Sequence, residues 1–232
     1  MNVVVLLGAP GAGKGTQAPL LAARLGIPVI ATGDLFRAAV RDGTPLGLEA
    51  RRFMDAGRLV PDEITVRLLL DRLARPDAAA GAILDGFPRT GIQATALEDA
   101  LAERGAVVRA AILVDVAPEE LVHRMSGRWI CRAAGHPYNE TSSPPRVEGV
   151  CDLDGSELYQ RTDDRPDTIR ARLDQQIGAL GEVLDHYRAT GTLRVVDGFQ
   201  PVADVAAAVM DAVTAAGVEP LATTPDGSGD RR

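Results

Sequence analysis

The chain has 232 residues, 46% of them hydrophobic, enough to bury a sizeable core as one domain with insertions. A formal net charge of −7 excludes a general nucleic-acid binder, because a phosphate backbone would be repelled, so any anionic substrate must be held by local arginines. No apolar run approaches the roughly 20 residues of a membrane span, the first strand starts at the N-terminus without room for a signal peptide, and two cysteines fit a reducing compartment or a metal site; a cytoplasmic protein is expected.

Val3-Val4-Val5-Leu6-Leu7 is an apolar, β-branched run, short enough to be a strand buried on both faces. Gly8-Ala9-Pro10-Gly11-Ala12-Gly13-Lys14-Gly15-Thr16 follows, with the spacing Gly, four residues, Gly, Lys, Thr of a phosphate-binding loop. Thr16 to Leu25 reads as a helix with Leu20, Leu21 and Leu25 on one side. Glycines let successive backbone N–H groups of Gly11, Ala12, Gly13 and Gly15 face one anion, and the helix N-terminus adds partial positive charge. Lys14 can then reach the β and γ phosphates of a bound triphosphate while the Thr16 hydroxyl serves Mg²⁺. Lys14 is the only lysine; every other residue of the 25 Lys and Arg is arginine. Either the placement is chance, or a narrow ammonium is needed where a planar guanidinium does not fit.

Pro28 to Ala31 is the next strand candidate, followed by Thr32-Gly33-Asp34, where Asp34 can cap a helix from Leu35 to Arg41. Thr32 to about Val60 is helical throughout and looks inserted. Ala82 to Asp85 is a third strand, and an Asp after a β run suits Mg²⁺, directly or through water. Pro88, in Asp85-Gly86-Phe87-Pro88-Arg89-Thr90, is a candidate for a cis bond. Ala110 to Asp115 and Leu193 to Asp197 are further strands. Between them Gly127 to Asp164 loses all periodicity and crowds Gly, Pro, Ser, Cys and Asp, a small loop-rich insertion. Helices run from Pro166 to about Arg188 and from Val202 to Ala215, and the polar, Pro- and Gly-rich end is expected to be a disordered tail. Alternating strands and helices imply an α/β fold of the P-loop NTPase type. Its five-stranded parallel sheet carries helices on both faces and ligands at the carboxyl ends of its strands.

Gly8 to Gln17, Ala31 to Arg37, Asp55 to Glu63, Asp85 to Thr90, Pro144 to Cys151 and Glu157 to Arg161, taken together and in order, resemble the adenylate kinases. The likeness covers residues 1 to about 216. It implies reversible phosphoryl transfer from ATP·Mg²⁺ to AMP, giving two ADP, by a monomer with no nucleic-acid or membrane partner. It also implies a core of residues 1–31, 61–126 and 165–217, an AMP-binding insertion at 32–60, a lid at 127–164 and a tail at 218–232. Thr32, Arg37, Arg58, Leu59, Val60, Gly86, Phe87, Pro88, Arg89 and Gln93 fall at the family's AMP positions, with Gln93 reading the adenine edge. Gly11 to Thr16, Arg128, Pro137 and Tyr138 fall at ATP positions, with Gln200 near the adenine. Arg161 and Arg172 match positions that reach the phosphates from the lid hinge, and Arg124 lies one helical turn before Arg128. The catalytic set is then Lys14, Asp85, Arg89, Arg128, Arg161 and Arg172. A loose phosphoryl transition state needs such forked cations, and closing lids that exclude water, but no protein nucleophile.

Many bacterial relatives bind Zn²⁺ in the lid through two pairs of close ligands. Cys131, Cys151 and Asp154 match the first, third and fourth, but Ala134 occupies the second; His136, two residues on, can replace it. Alternatives are a lid held by hydrogen bonds alone or a Cys131–Cys151 disulfide. Two other functions stay open: a kinase preferring UMP or CMP, and a nucleotide-binding switch that transfers nothing.

Overall fold

The computed structural model of the chain describes residues 1–56, 58–160 and 166–221. Arg161, the side chain of Arg172 and nearly all of the expected tail lie outside the described residues. Strands β1 (Asn2–Leu7), β2 (Val29–Ala31), β3 (Gly81–Asp85), β4 (Val107–Asp115) and β8 (Leu193–Asp197) form one parallel sheet in the order β2-β3-β1-β4-β8. β1 is central because its valines and leucines are apolar on both faces, and alternate residues feed two separate cores. Val4 and Leu6 pack with α1 (Lys14–Leu25), α6 (Pro118–Ser126) and α8 (Val202–Ala215). Val3, Val5 and Leu7 pack with α4 (Asp62–Leu73), α5 (Gly91–Ala102) and the second half of α7 (Pro166–Ala189). Burial of this alternating set supplies the hydrophobic drive for the sandwich at about 25 cal/mol per Å² of apolar surface.

The carboxyl ends of β1, β2 and β3 lie side by side, with Leu6 beside Asp85 and Asp85 beside Ala31. Chain order reverses across β1, which has β3 on one side and β4 on the other. A crevice opens at such a switch point, and the glycine-rich loop starts there.

Some local expectations need correction. Helix α2 (Thr32–Arg41) begins at Thr32, so Asp34 sits inside its first turn and pairs with Arg37 rather than capping. Leu20 is 44% exposed; the buried stripe of α1 is Ala18, Leu21 and Leu25, one residue off the expected face. β4 extends three residues further back, where exposed Val107 and Arg109 interrupt the apolar run. Helix α2 and α3 (Pro45–Asp55) form an arm with its own small core of Phe36, Ala50 and Val60. The stretch without periodicity contains a three-stranded antiparallel sheet, β5 (Arg128–Cys131) between β6 (Pro137–Asn139) and β7 (Leu158–Tyr159). These strands are too short to display a period. Among the described residues no helix is long and apolar enough to cross a membrane.

Candidate active site

The loop between β1 and α1 needs its glycines for separate reasons. Gly8, Gly11 and Gly13 have φ of 138°, 87° and 99°, backbone that side chains resist. A Cβ on Gly8 would also lie 2.7 Å from the Val114 carbonyl oxygen. Lys14 folds over the loop it closes, its Nζ donating to Gly8 O at 2.7 Å and Ala9 O at 3.0 Å. The N–H groups of Thr16 and Gln17 are both turned to Gly13 O, which starts α1 at the loop.

A single cavity of about 1310 Å³ runs from this loop across the sheet ends. Lys14, Thr16 and Asp85 line it, so an exposed hydroxyl and a carboxylate, both hard oxygen donors suited to Mg²⁺, face one space. Arg37, Arg58, Arg89, Arg124 and Arg128 line the same cavity. Its positive lining contrasts with the negative charge of the whole chain and marks the place for an anion.

At one end of the cavity, Thr32 is 3% exposed and donates its hydroxyl to Gly86 O at 2.8 Å. The Phe87–Pro88 bond is cis, both residues are buried, and the turn delivers Arg89 back toward Gly86. Arg89 Nε donates to Gly86 O at 2.7 Å and Nη1 to Gln176 Oε1 at 3.2 Å. Thr90 caps α5 by accepting from the Gln93 N–H at 3.2 Å. Gln93 is only 1% exposed, yet lines the cavity with Leu59 and Val60. Arg58 stacks over the Phe53 ring, 5.2 Å from its centre.

At the opposite end Pro137, Tyr138 and Gln200 join the lining. Gln200 Nε2 donates to Asp197 Oδ2 at 2.8 Å; this bond, with the Phe199 N–H, lowers the Asp197 carboxyl from its usual range. Arg124 Nη1 donates to Gly198 O at 3.0 Å while its Nε pairs with Glu120 at 2.7 Å. Asn139 Nδ2 donates to the Arg124 carbonyl at 2.9 Å, tying the small sheet to the end of α6. Three supporting residues went unread in the sequence: Gln176, which steadies Arg89; Phe199, which lines the cavity beside Gln200; and Asp62, which receives Gln93 Nε2 at 2.7 Å. Nothing local marks Gln176 or Asp62, because each acts on a partner far away in sequence.

In the lid region Cys131, His136, Cys151 and Asp154 converge, with one ligand atom from each within 4.8 Å of all the others. They are set on two matching turns. Cys131 N–H donates to His136 O and Gly135 N–H to Cys131 O, while Cys151 N–H donates to Ser156 O and Gly155 N–H to Cys151 O. Ala134 and Asp154 occupy equivalent places, so the first turn has lost its inward ligand and His136 reaches in from the place that Ser156 holds in the second. Cys131 Sγ lies 3.1 Å from Asp154 Oδ2, and His136 Nδ1 lies 3.3 Å from Cys151 Sγ and 3.4 Å from Asp154 Oδ2. A tetrahedron with bonds of about 2.0–2.3 Å has edges of roughly 3.3–3.8 Å, so soft sulfur, imidazole and carboxylate fit Zn²⁺ here. Burial raises the Cys131 thiol, but hydrogen bonds from Ser156 and the Ala134 N–H outweigh it and bring it to about 7, close to the thiolate a metal needs. The Ser156 N–H and the Cys131 thiol hold Asp154 far below the usual carboxylate range. Both cysteines are free, so the disulfide reading is set aside.

Comparison with known proteins adds an independent finding. A family model described as "Adenylate kinase" matches residues 6–192. An adenylate kinase of Lysinibacillus sphaericus is 49% identical over 202 residues, covering 87% of this chain and 93% of the relative. Another, from Streptomyces griseus, is 49% identical over 213 residues, 91% of this chain and 97% of the relative. One from Staphylococcus aureus is 46% identical over 211 residues, 91% of this chain and 98% of the relative.

Proposed function

The chain belongs to the adenylate kinase family, and from that premise we propose which of its residues carry out which part of the reaction. It transfers the terminal phosphoryl group of ATP reversibly to AMP, giving two ADP, and uses Mg²⁺ with ATP. The two rival functions, UMP or CMP phosphorylation and a switch without transfer, are not favoured by these relatives. One observation carries the assignment of roles: the phosphate loop and Gln93 line one continuous cavity, so donor and acceptor nucleotides can meet end to end.

Backbone N–H groups from Gly11 to Thr16 and the start of α1 hold the ATP phosphates. The Lys14 ammonium, poised over the loop carbonyls, turns to β and γ oxygens, and Arg128 adds charge from the lid side. Tyr138, Pro137 and Gln200 flank the ATP base. Thr16 and Asp85 would hold Mg²⁺, which would supply charge neutralisation at the phosphate oxygens. Thr32, Arg37, Arg58 and the Leu59–Val60 segment, with Gly86, Phe87, Pro88 and Arg89, seat AMP. Arg89 is held by Gly86 O and Gln176, so its guanidinium is oriented before substrate arrives. An AMP phosphate oxygen then attacks the γ phosphorus in line as the bond to the ADP oxygen breaks. No protein nucleophile takes part; alignment and cationic stabilisation supply the rate. Arg161 and Arg172 join this set as phosphate ligands from the hinge.

The same reading divides the chain into a core (1–31, 61–126, 165–217), an AMP arm (32–60) and a lid (127–164), both of which close to exclude water. Within the lid, Cys131, His136, Cys151 and Asp154 hold a structural Zn²⁺ that pins the two turns together. The first experiment measures ADP formation from ATP·Mg²⁺ with AMP, UMP, CMP or GMP, and with ATP alone. Turnover with AMP only is expected; turnover with another acceptor, or slow hydrolysis alone, refutes the assignment. One zinc per chain by elemental analysis is expected, falling in both C151S and H136A, whereas retention in H136A rules out His136 as a ligand.

A further inference from the structure

We propose that Asp62 is a positioning residue that sets the base preference of the acceptor site by locking the side-chain amide of Gln93 in one orientation. The inference deepens the function above and rests on Gln93 being the side chain that reads the acceptor base.

A glutamine amide is nearly symmetric in shape but opposite in chemistry at its two ends: its nitrogen donates and its oxygen accepts. Left alone it can rotate by half a turn and present either order to a ligand. Gln93 is not left alone. Its Nε2 donates to Asp62 Oδ1 at 2.7 Å, and its Oε1 accepts from the Arg89 N–H at 2.8 Å. A carboxylate can only accept and a backbone N–H can only donate, so a turned amide would set oxygen against carboxylate and NH₂ against N–H. With Gln93 buried, neither mismatch is relieved by water. The lock fixes the amide.

Each anchor uses half of its partner's capacity. The second Nε2 hydrogen and the second Oε1 lone pair remain for a ligand, in a fixed order. Adenine offers an N1 acceptor beside an N6 amino donor. A 6-oxopurine offers an N1–H donor beside an O6 acceptor, the reverse order at the same two places. The ribose and phosphate fix how the base enters, so a locked amide matches adenine and sets like against like for hypoxanthine or guanine. Asp62 does not line the cavity that Gln93 lines, so it acts through Gln93 and not by touching the base. It is also the first residue of α4, which joins the arm to the core, so its carboxylate is presented from the start of a helix. The bond it accepts is charge-assisted, stronger than the neutral one from Arg89, and is the larger part of the lock.

The test compares the full-length protein with D62N and D62E, measuring kcat/KM for AMP and for inosine monophosphate at saturating ATP·Mg²⁺, and ATP affinity by calorimetry. Asparagine can present either its oxygen or its NH₂ and so follows the amide in both orientations. In D62N the preference for AMP over inosine monophosphate is expected to fall about tenfold, through the acceptor KM, with ATP affinity unchanged. D62E keeps an acceptor-only group and is expected to recover part of the preference. A D62N protein with wild-type ATP affinity and wild-type preference overturns the proposal, as does an equal loss toward both acceptors, the sign of a merely structural role. A wild-type protein that does not distinguish the two acceptors overturns the reading of Gln93 beneath it, and the proposal with it.

Discussion

Gly47 gives a sharp test of the arm proposed to seat AMP. It is buried at the start of α3, where Thr44 caps the helix by accepting from the Gly47 N–H at 3.1 Å. A Cβ at this position would sit 2.1 Å from Ala39 O and 2.2 Å from its carbonyl carbon, both backbone atoms of α2. Ordinary contact is more than 1 Å longer, so G47A forces the two helices apart. Overpacking of this kind costs about 1–3 kcal/mol. Ala39 O also accepts from the Thr44 N–H and hydroxyl, both at 3.1 Å, and losing these bonds adds about 1 kcal/mol each. The better helix propensity of alanine returns up to about 1 kcal/mol. The net, about 2–5 kcal/mol, corresponds to a fall in Tm of about 4–20 °C for a chain of this size. Because Arg37 rides on α2, KM for AMP should rise several-fold while KM for ATP stays put. Thermal unfolding and initial rates read both. A G47A protein with Tm within a degree of wild type and an unchanged KM for AMP would refute the packing argument.

Other outcomes follow from individual side chains. Tyr187 is fully buried and its hydroxyl has no hydrogen-bond partner among the described residues; burial, and then the Glu98 carboxylate, push its pKa far up. Y187F should therefore stabilise by about 1 kcal/mol, raising Tm by about 2–4 °C, and a lower Tm would contradict it. In K14R a planar guanidinium spreads its charge over a fork and does not present it at the one point from which the Lys14 ammonium meets two loop carbonyls, at 2.7 Å and 3.0 Å, so kcat should fall by about 100-fold or more despite the retained charge; near-normal kcat would show that charge alone suffices. R89A should abolish transfer with little change in ATP affinity, because Arg89 is anchored at the acceptor end, by Gly86 and Gln176.

How much could be read from the residues alone depended on the range of the physics involved. Val3 to Leu7 announced a central strand because both of its faces are apolar, and Gly8 to Thr16 announced the phosphate loop because that chemistry is contiguous. Leu193–Asp197 and Val202–Ala215 stand where the pattern put them. Asp34 misled because it suits a cap, but the helix gains three earlier residues, Thr32 to Asp34, with Thr32 tied to Gly86 O. The lid sheet was illegible since strands of two to four residues carry no period. His136 was within reach of sequence reasoning, since it stands two residues beyond Ala134, the place where the family's pattern of ligands is broken. Asp62 was not. Its partner is 31 residues away, and only the folded contact between α4 and α5 joins them.

Lys14 has one last consequence, for labelling chemistry. Lys14 is the one lysine of the sequence, so its ammonium is the only side-chain primary amine here for an amine-acylating reagent to attack. Reagents that decorate the surface of most proteins at random thus become, on this one, reagents for a single side chain in the catalytic cleft. Loss of activity on acylation, and its prevention by bound nucleotide, report occupancy of the phosphate loop directly. For the same reason, immobilisation or crosslinking through side-chain amines can act only at Lys14.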